Sequence, residues 1–378
     1  QQAAAEILRA QAALNQATSL IWPSISGSVT NVTLNAGRSF NGQVTTPQNQ
    51  VTALLGVTAP IVAPVQWAQR TQARDLVHVA ESGEADARRQ VAFAAAQAYL
   101  AIIARRRVFE ADVRATDTAQ AHYELARQQR QLGSGSLLNE LRAQQLLSSQ
   151  QVLAEQAAFE VYRAQEALGV LVARDGPVDV VDEPALDVPQ ALEPAITQMP
   201  GLRADVRLFA TREAAAERVW SDSWKDWLPS ASVLFAPQYV TPATLFQPSA
   251  AWRAQFAVTV PVFDAGSRHA VRAERRALFE ESQVQYNASL RQANSDVRTA
   301  SEAVGSAERA LAAARASAAQ ARRVVDIIQV SFKAGAATSI EVIDAQRALL
   351  DAETSVAVAE DQVRQAKLTL LVALGLFP

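Results

Sequence analysis

The chain has 378 residues with a formal net charge of −3; 49% are hydrophobic, only 6% aromatic and 19% charged. Much of the apolar fraction is alanine, which favours helix but buries little area per residue, so long helices in close contact are expected rather than a wide core. The negative charge argues against a nucleic-acid binder, which needs a basic surface. The chain has no cysteine, which excludes disulfides and thiolate metal sites.

Neither the start of the chain nor its apolar runs predict a helical membrane anchor. No basic segment followed by an apolar run opens the sequence, so we expect no signal peptide within it. The best uncharged run, residues 91–104, has 14 residues, whereas a spanning helix needs about 20. If the protein crosses a membrane, we expect it to do so with strands.

Three short motifs of the first half recur in the same order in the second half, at residues 22–26 and 228–232, 57–60 and 258–261, and 132–134 and 334–336. The intervals also agree, since Pro60 and Gly133 are 73 residues apart and Pro261 and Gly335 are 74 apart. Such self-similarity indicates an internal duplication.

The duplication predicts a first repeat over residues 1–173 and a second over residues 201–378, each a helix, a β-hairpin and a long helical hairpin. The β-hairpins are expected at residues 24–62 and 230–263, and the tips of the helical hairpins near residues 133 and 335. Residues 174–200 are acidic and rich in proline, which predicts an irregular connecting segment between the repeats.

Apolar and polar residues alternate in the predicted strands, most clearly over residues 252–260. Trp252, Phe256 and Val258 fall on one face, and Arg253 and Gln255 on the other. This alternation fits either a half-buried soluble sheet or a lipid-facing barrel with a wet lumen. Tryptophans near both ends of the strands favour the second, as membrane-interface aromatics; they are Trp22, Trp67, Trp224, Trp227 and Trp252. Because four strands cannot close a barrel, several copies must share one.

Residues 65–132 and 265–334 contain no proline, so each is expected to form a helix on the order of 100 Å long. Apolar residues in both hairpins recur at alternating steps of three and four, as at Val325, Ile328 and Phe332. This seven-residue period predicts left-handed coiled-coil packing. Gly133 and Gly335 supply the reversals between the long and the shorter helices.

This layout resembles the outer-membrane efflux protein family, the TolC-like outer-membrane factors. The resemblance covers nearly the whole chain and rests on Pro60, Pro261, residues 264–266, residues 332–335 and residues 340–345, together with the duplication. It implies a mainly α fold in which long antiparallel coiled-coil hairpins join transmembrane β-strands. Three copies would form a homotrimer with a 12-stranded β-barrel and an α-helical periplasmic tunnel, and residues 174–200 would lie in an equatorial belt.

The resemblance also implies functional residues at the two helical tips. Acidic residues just past the second tip, Glu341 and Asp344, would ring the closed periplasmic aperture. The tips themselves would dock on a periplasmic adaptor; these residues are Gly133, Ser134, Gly135, Gly335, Ala336 and Ala337.

The implied function is the exit duct of a tripartite efflux pump, most simply for drugs or other small molecules. The duct would sit in the outer-membrane lipid of a Gram-negative bacterium and extend into the periplasm. Its partners would be a periplasmic adaptor, or membrane fusion protein, and an inner-membrane pump of the RND, ABC or MFS class. An exit duct for type I protein secretion and a periplasmic coiled-coil adaptor are the alternatives, although adaptors carry one hairpin rather than two.

The sequence shows no sign of enzyme chemistry. His78, His122 and His269 lie far apart and lack metal-ligand spacing, and neither a phosphate-binding glycine loop nor a nucleophile elbow is present. We therefore expect no catalytic, metal or cofactor-binding residues, and the energy for transport to come from a partner.

Overall fold

A computed structural model describes residues 2–181, 183–189 and 192–377, and they form a mainly helical chain with one larger sheet. The helices are α1 (Gln2–Ser19), α2 (Pro64–Gln131), α3 (Leu137–Leu171), α4 (Leu192–Leu202), α5 (Ala204–Ser221), α6 (Ser267–Lys333) and α7 (Ser339–Leu374). The strands are β1 (Ser24–Thr33), β2 (Arg38–Phe40), β3 (Gln43–Thr46), β4 (Asn49–Val62), β5 (Ser230–Thr241) and β6 (Ala250–Thr259). A 3₁₀ turn, Asp222–Trp227, precedes β5. The predicted fold class is confirmed.

The chain divides into two compact units. The first, called here the strand unit, comprises Gln1–Ala85 and Arg207–Ser289. The second, the helix unit, comprises Asp86–Val206 and Leu290–Pro378. Each unit therefore takes a segment from both predicted repeats, because α2 and α6 continue from one unit into the other.

The strand unit contains a four-stranded sheet in the order β1-β4-β5-β6, antiparallel throughout. Ile25 lies opposite Val57, and Val57 lies opposite Phe235. Val233 lies opposite Phe256 on β6. Directly opposed residues lie on the same face of the sheet. The apolar residues predicted to alternate with polar ones in each strand therefore all lie on one face across the four strands.

Pro60 lies within strand β4. The strand continues to Val62, and its register with β5 shifts between these two residues. The partner β1 begins at Ser24, opposite Thr58, so β4 beyond Thr58 pairs with β5 alone. A proline is tolerated there because the missing N–H falls at an edge or bulge.

The segment between β1 and β4 contains regular structure of its own. It contains the two-stranded antiparallel sheet of β2 and β3. The connecting residues Asn41 and Gly42 have φ angles of 50° and 76°. Asn-Gly is the preferred pair for a tight two-residue hairpin turn, because both positions need positive φ.

In the helix unit, several heptad positions are buried. Val325 and Phe332 on α6, and Val342, Ala345 and Ala352 on α7, are all buried, whereas their sequence neighbours are mostly exposed. A second cluster joins Leu100 and Ile102 of α2 to Leu168 of α3 and Leu368 of α7. Small alanines at many of these positions allow the helices to approach closely.

The inter-repeat segment is irregular only in part. No helix or strand is assigned to the described residues of 174–189, as predicted, but α4 follows and contains Pro194 and Pro200. Pro194 lies in the first turn, where backbone N–H groups have no helical partner in any case. Pro200 lies in the last turn and lacks the N–H that would donate to Ile196 O, and α4 ends two residues later at Leu202.

Within the described ranges, no helix combines the length and the apolar character that a membrane span requires.

Candidate functional site

Both helical tips turn through the same backbone motif. After α2, the Ser134 N–H donates to Gln129 O (2.9 Å) and the Gly133 N–H to Arg130 O (3.0 Å). After α6, the Ala336 N–H donates to Ser331 O (2.8 Å) and the Gly335 N–H to Phe332 O (3.0 Å). This Schellman pattern needs a left-handed residue, and Gly133 and Gly335 have φ angles of 75° and 76°. The turn residues are largely exposed.

The two tips differ in what joins the helices beside them. At the first tip, Arg130 Nη1 donates to Glu140 Oε2 across the turn at 2.5 Å. Counted from the tip glycines, the same positions of the second tip hold Phe332 and Val342, and both are buried. The first turn is thus braced by an exposed ion pair and the second by apolar packing.

The first turn is also sterically tighter. A Cβ on Gly135 would lie 2.9 Å from Arg130 N and 3.0 Å from Gln129 Cβ. The second turn carries Ala337 at this position, so it already accommodates a methyl group. The predicted tip residues therefore occupy matching places on two turns of different chemistry.

Glu341 lies in the first turn of α7 and Asp344 lies three residues later, in the second turn; both are exposed. Glu341 has a local partner that the sequence analysis did not assign. Its carboxylate accepts from the Thr338 N–H (2.6 Å) and hydroxyl (2.9 Å), and the Thr338 hydroxyl accepts from the Glu341 N–H. The backbone N–H of Thr338, and then its hydroxyl, hold the pKa of the Glu341 carboxyl below its usual value.

This reciprocal pair is a capping box, in which a threonine and a glutamate three residues later satisfy free N–H groups at a helix start. The motif Thr-x-x-Glu at residues 338–341 is legible in the sequence and could have identified Thr338. The first tip has only half of it, because Ser136 caps Asn139 N at 3.2 Å without a glutamate.

A buried histidine lies beside the second tip. His122 of α2 approaches Ser339 Oγ of α7 at 3.3 Å, and its ring centroid is 5.5 Å from that of Phe332 on α6. Burial lowers the pKa of the His122 imidazole. The second tip is therefore held to α2 by one side-chain hydrogen bond and one ring contact. The described residues contain no group of three potential metal ligands.

One face of the sheet is apolar over all four strands. Val29, Phe235, Trp252 and Phe256 belong to it, and Trp252 and Phe256 are 70% and 65% exposed. The opposite face carries Ser, Thr and Gln side chains and Arg253. Side chains of this second face line a polar hollow over β1, β4, β5 and β6.

The predicted interface tryptophans lie near both ends of this sheet. Trp22 precedes β1 and Trp227 precedes β5, at the end where these strands start and β6 finishes. Trp252 lies opposite Pro237, toward the other end. Trp67, on the first turn of α2, and Trp224 are also exposed.

Trp227 is less exposed than the others. Arg268 and Arg272 lie over its ring at 5.8 and 6.0 Å, and His269 meets it edge-on at 5.4 Å. A tryptophan under two guanidinium groups suits the boundary between an apolar and a charged environment.

Comparison with known proteins identifies the family and the fold. The profile of the family described as outer membrane efflux protein matches residues 199–376. This part of the chain is therefore an outer membrane efflux protein domain, and the resemblance found in the sequence is confirmed. The match is to a transport family rather than to an enzyme. No curated protein sequence matches the chain.

Solved outer membrane channels share the fold over nearly the whole chain. The CmeC channel of Campylobacter jejuni is 18% identical, with a TM-score of 0.82 over 99% of this chain and 82% of CmeC. VceC of Vibrio cholerae is 18% identical, with a TM-score of 0.81 over 99% and 92% of the two chains. The open-state MtrE channel of Neisseria gonorrhoeae is 16% identical, with a TM-score of 0.80 over 99% and 85%.

The capping box gives a testable prediction at the second tip. Thr338→Val should increase hydrogen exchange of the first-turn amides of α7 about five- to tenfold, because the Glu341 N–H loses its acceptor. Since the folded pKa of Glu341 is depressed, its bond stabilises the turn above the ordinary carboxyl pKa and is lost as the pH falls through the folded value. Thr369→Val, an exposed position on the same helix, is the control. Equal exchange in the two variants would contradict the capping role.

Proposed function

We propose that this chain, which carries an outer membrane efflux protein domain, is one of three identical subunits of a passive exit duct for efflux across the outer membrane. The observation that carries the proposal is the sheet of the strand unit. It combines a continuous apolar face that is exposed with a polar opposite face and two edge strands that have no partner among the described residues.

The apolar face is suited to lipid. Exposed apolar patches of this kind mark surfaces that another apolar phase covers. At about 3.3 Å per residue, the ten residues of β1 or of β6 span roughly 33 Å before tilt, enough to cross a hydrocarbon core. The polar face, with its hollow lined by Thr52, Gln238 and Arg253, would then line a wet lumen.

The unpaired edges require further copies, because open sheet edges do not occur in hydrocarbon. β1 and β6 are both 10 residues long and run in opposite directions in the sheet, so β6 of one copy can pair antiparallel with β1 of the next. Two copies would give a barrel of eight strands, whose interior side chains fill. Three is the smallest number that leaves a water-filled channel.

The helices of the helix unit would form the wall of the periplasmic tunnel, and residues 174–200 the belt around it. No group in the described part of the chain forms a metal cluster, and no nucleotide-binding loop is present in the sequence. The duct would therefore depend on a periplasmic adaptor and on an inner-membrane RND, ABC or MFS pump for energy and for most of its selectivity. Small molecules, including drugs, are the cargo that an efflux protein of this family would carry.

The purified protein should migrate as a heat-sensitive trimer and conduct ions in planar lipid bilayers, because three sheets are needed to enclose water. Chemical crosslinking in detergent should end at the trimer. As a control, Ser28→Pro in the middle of β1 should prevent pairing and abolish the trimer and the conductance together. A water-soluble monomer without conductance would contradict the duct.

We also propose that Glu341 and Asp344 ring the periplasmic aperture. Both are exposed and one helical turn apart, so three copies around an axis would bring six carboxylates together and attract cations. Glu341→Gln with Asp344→Asn should raise single-channel conductance or weaken cation selectivity. Glutamine can still serve the capping box, so the helix start is retained.

A matched control for this double variant removes two exposed carboxylates elsewhere in the helix unit, Asp326→Asn with Asp351→Asn. It should leave conductance closer to the parent value than the tip variant does. If the tip variant conducts like the parent, the two residues do not form the aperture.

The tips are proposed as the adaptor-docking surface, because they are exposed and their turns are rigidly hydrogen-bonded. Ser134→Trp with Ala336→Trp should abolish export while trimers persist, since bulky side chains would block close approach of a partner. Ser148→Trp, exposed on α3 away from the turn, should leave export intact. Normal export by the tip variant would show that the tips do not dock.

A further inference from the structure

A cavity in the helix unit has polar groups that neither the coiled-coil packing nor the duct requires. It lies among α2, α3, α6 and α7 and has a volume of about 290 Å³. This volume is close to the lower limit of small-molecule sites in proteins. The cavity is partly open, and the two arginines that line it, Arg114 and Arg322, have largely exposed side chains.

Two glutamines line this cavity, and the Oε1 atom of each is buried without a hydrogen-bond partner. Gln150 of α3 is 6% exposed, and its Oε1 has no hydrogen-bond partner. The Oε1 atom of Gln346 on α7 is likewise buried without a partner. A buried acceptor without a hydrogen-bond donor destabilises the folded state, so each such atom in a folded protein requires an explanation.

The glutamines are out of place in the pattern around them. Gln150 is the one polar residue in the apolar seam of α3, which otherwise continues through Leu147 and Ala157. Counted from the tip glycines, Gln346 corresponds to Gln144 of the first repeat, which is exposed. The two buried amides therefore do not come from a common repeat position.

The mouth of the cavity is positively charged. Arg114 of α2 and Arg322 of α6 both pair with Glu353 of α7, Arg114 at 3.5 Å. Both arginine side chains are largely exposed, whereas that of Glu353 is 15% exposed. Two guanidinium groups thus share one carboxylate, and a surplus of one positive charge and several N–H donors remains.

The wall between the mouth and the glutamines is apolar. Leu146 of α3 and Leu349 and Leu350 of α7 line it, and the apolar lining exceeds the polar lining. A fitting ligand therefore carries an anionic group for the arginines, an apolar body for the leucines, and a hydrogen-bonding group for the amides. A hydroxyl both donates and accepts, so it satisfies an amide in either orientation.

We propose that this cavity is a binding site for small hydroxyaryl carboxylates. The carboxylate is held by N–H groups of Arg114 and Arg322, each of which donates one hydrogen bond to Glu353 in the structure. The ring lies against the leucines, and the hydroxyl donates to Gln150 or Gln346. The site lies within the helices of a single chain, so it does not depend on the proposed duct.

Calorimetry on the full-length protein in detergent tests the site, with 4-hydroxycinnamate as the probe. Two relatives of the probe separate its contacts, because cinnamate lacks the hydroxyl and 4-hydroxycinnamamide lacks the charge. We expect 4-hydroxycinnamate to bind about tenfold or more tightly than either, since a site built for a hydrogen bond rejects a ligand without it.

Gln150→Leu with Gln346→Leu should weaken 4-hydroxycinnamate binding about tenfold and leave cinnamate within about twofold. The matched control is Gln151→Leu with Gln144→Leu. Gln151 is the exposed neighbour of Gln150, and Gln144 is the exposed counterpart of Gln346 in the first repeat. This control should bind all three ligands like the parent. Thermal unfolding of each variant confirms that it is folded. Because leucine is similar in size to glutamine and the substitutions remove two buried Oε1 atoms without a partner, the first variant should unfold at no lower a temperature than the parent.

Two results would overturn the proposal. The first is the absence of binding heat for 4-hydroxycinnamate at millimolar concentration, which would show that the cavity holds only water. The second is equal affinity for 4-hydroxycinnamate in the parent and in the folded Gln150→Leu, Gln346→Leu variant, which would place the probe elsewhere on the protein.

Discussion

The structure depends above all on the alternation of apolar and polar residues, which must stay in phase across the four strands of the sheet. Ile25, Val57, Phe235 and Ala254 follow one another across the sheet on one face, because each lies directly opposite the next. A slip of one residue in any of the three pairings would place polar side chains among them. An exposed apolar surface of this size is stable only against another apolar phase, and the unpaired edges are stable only against other strands. The proposed contact with lipid and the proposed pairing with sister chains therefore depend on the same register.

The long helices must be held together along their length, and they do so largely with alanine. Alanine contributes little burial, so long helices can be held together only by many small contacts along a continuous seam. The seam on α6 and α7 provides this through residues such as Ala307, Val325 and Ala352. Polar groups at its margins are then free for recognition, as at the tips, at the start of α7 and around Gln150. Function in the helix unit is thus expected where the seven-residue pattern breaks.

Much of the fold could be predicted because periodicity and proline placement act locally. The strands, the long helices and the glycine turns were found within a few residues of their bounds. Features that depend on a tertiary partner could not be predicted. Pro60 is tolerated inside β4 because its neighbour β1 is already absent there, and this cannot be known before the strand order. The burial of Gln150 and Gln346 depends on which helices meet. The hairpin at Asn41-Gly42 and the capping box at Thr338 were legible in the sequence and were overlooked.

The opposite direction of β1 and β6 has a consequence for the symmetry of the assembly. In the proposed trimer, six β-hairpins surround the axis, and the contact between β4 and β5 inside a chain alternates with that between β6 and β1 of adjacent chains. If each chain arose by fusion of two ancestral halves, a ring of six identical hairpins has become a ring of three chains, each with two different hairpins. The halves are free to diverge, and the ion-paired first turn and the apolar second turn show that they have done so. A partner approaching this ring would meet two kinds of site in alternation rather than one.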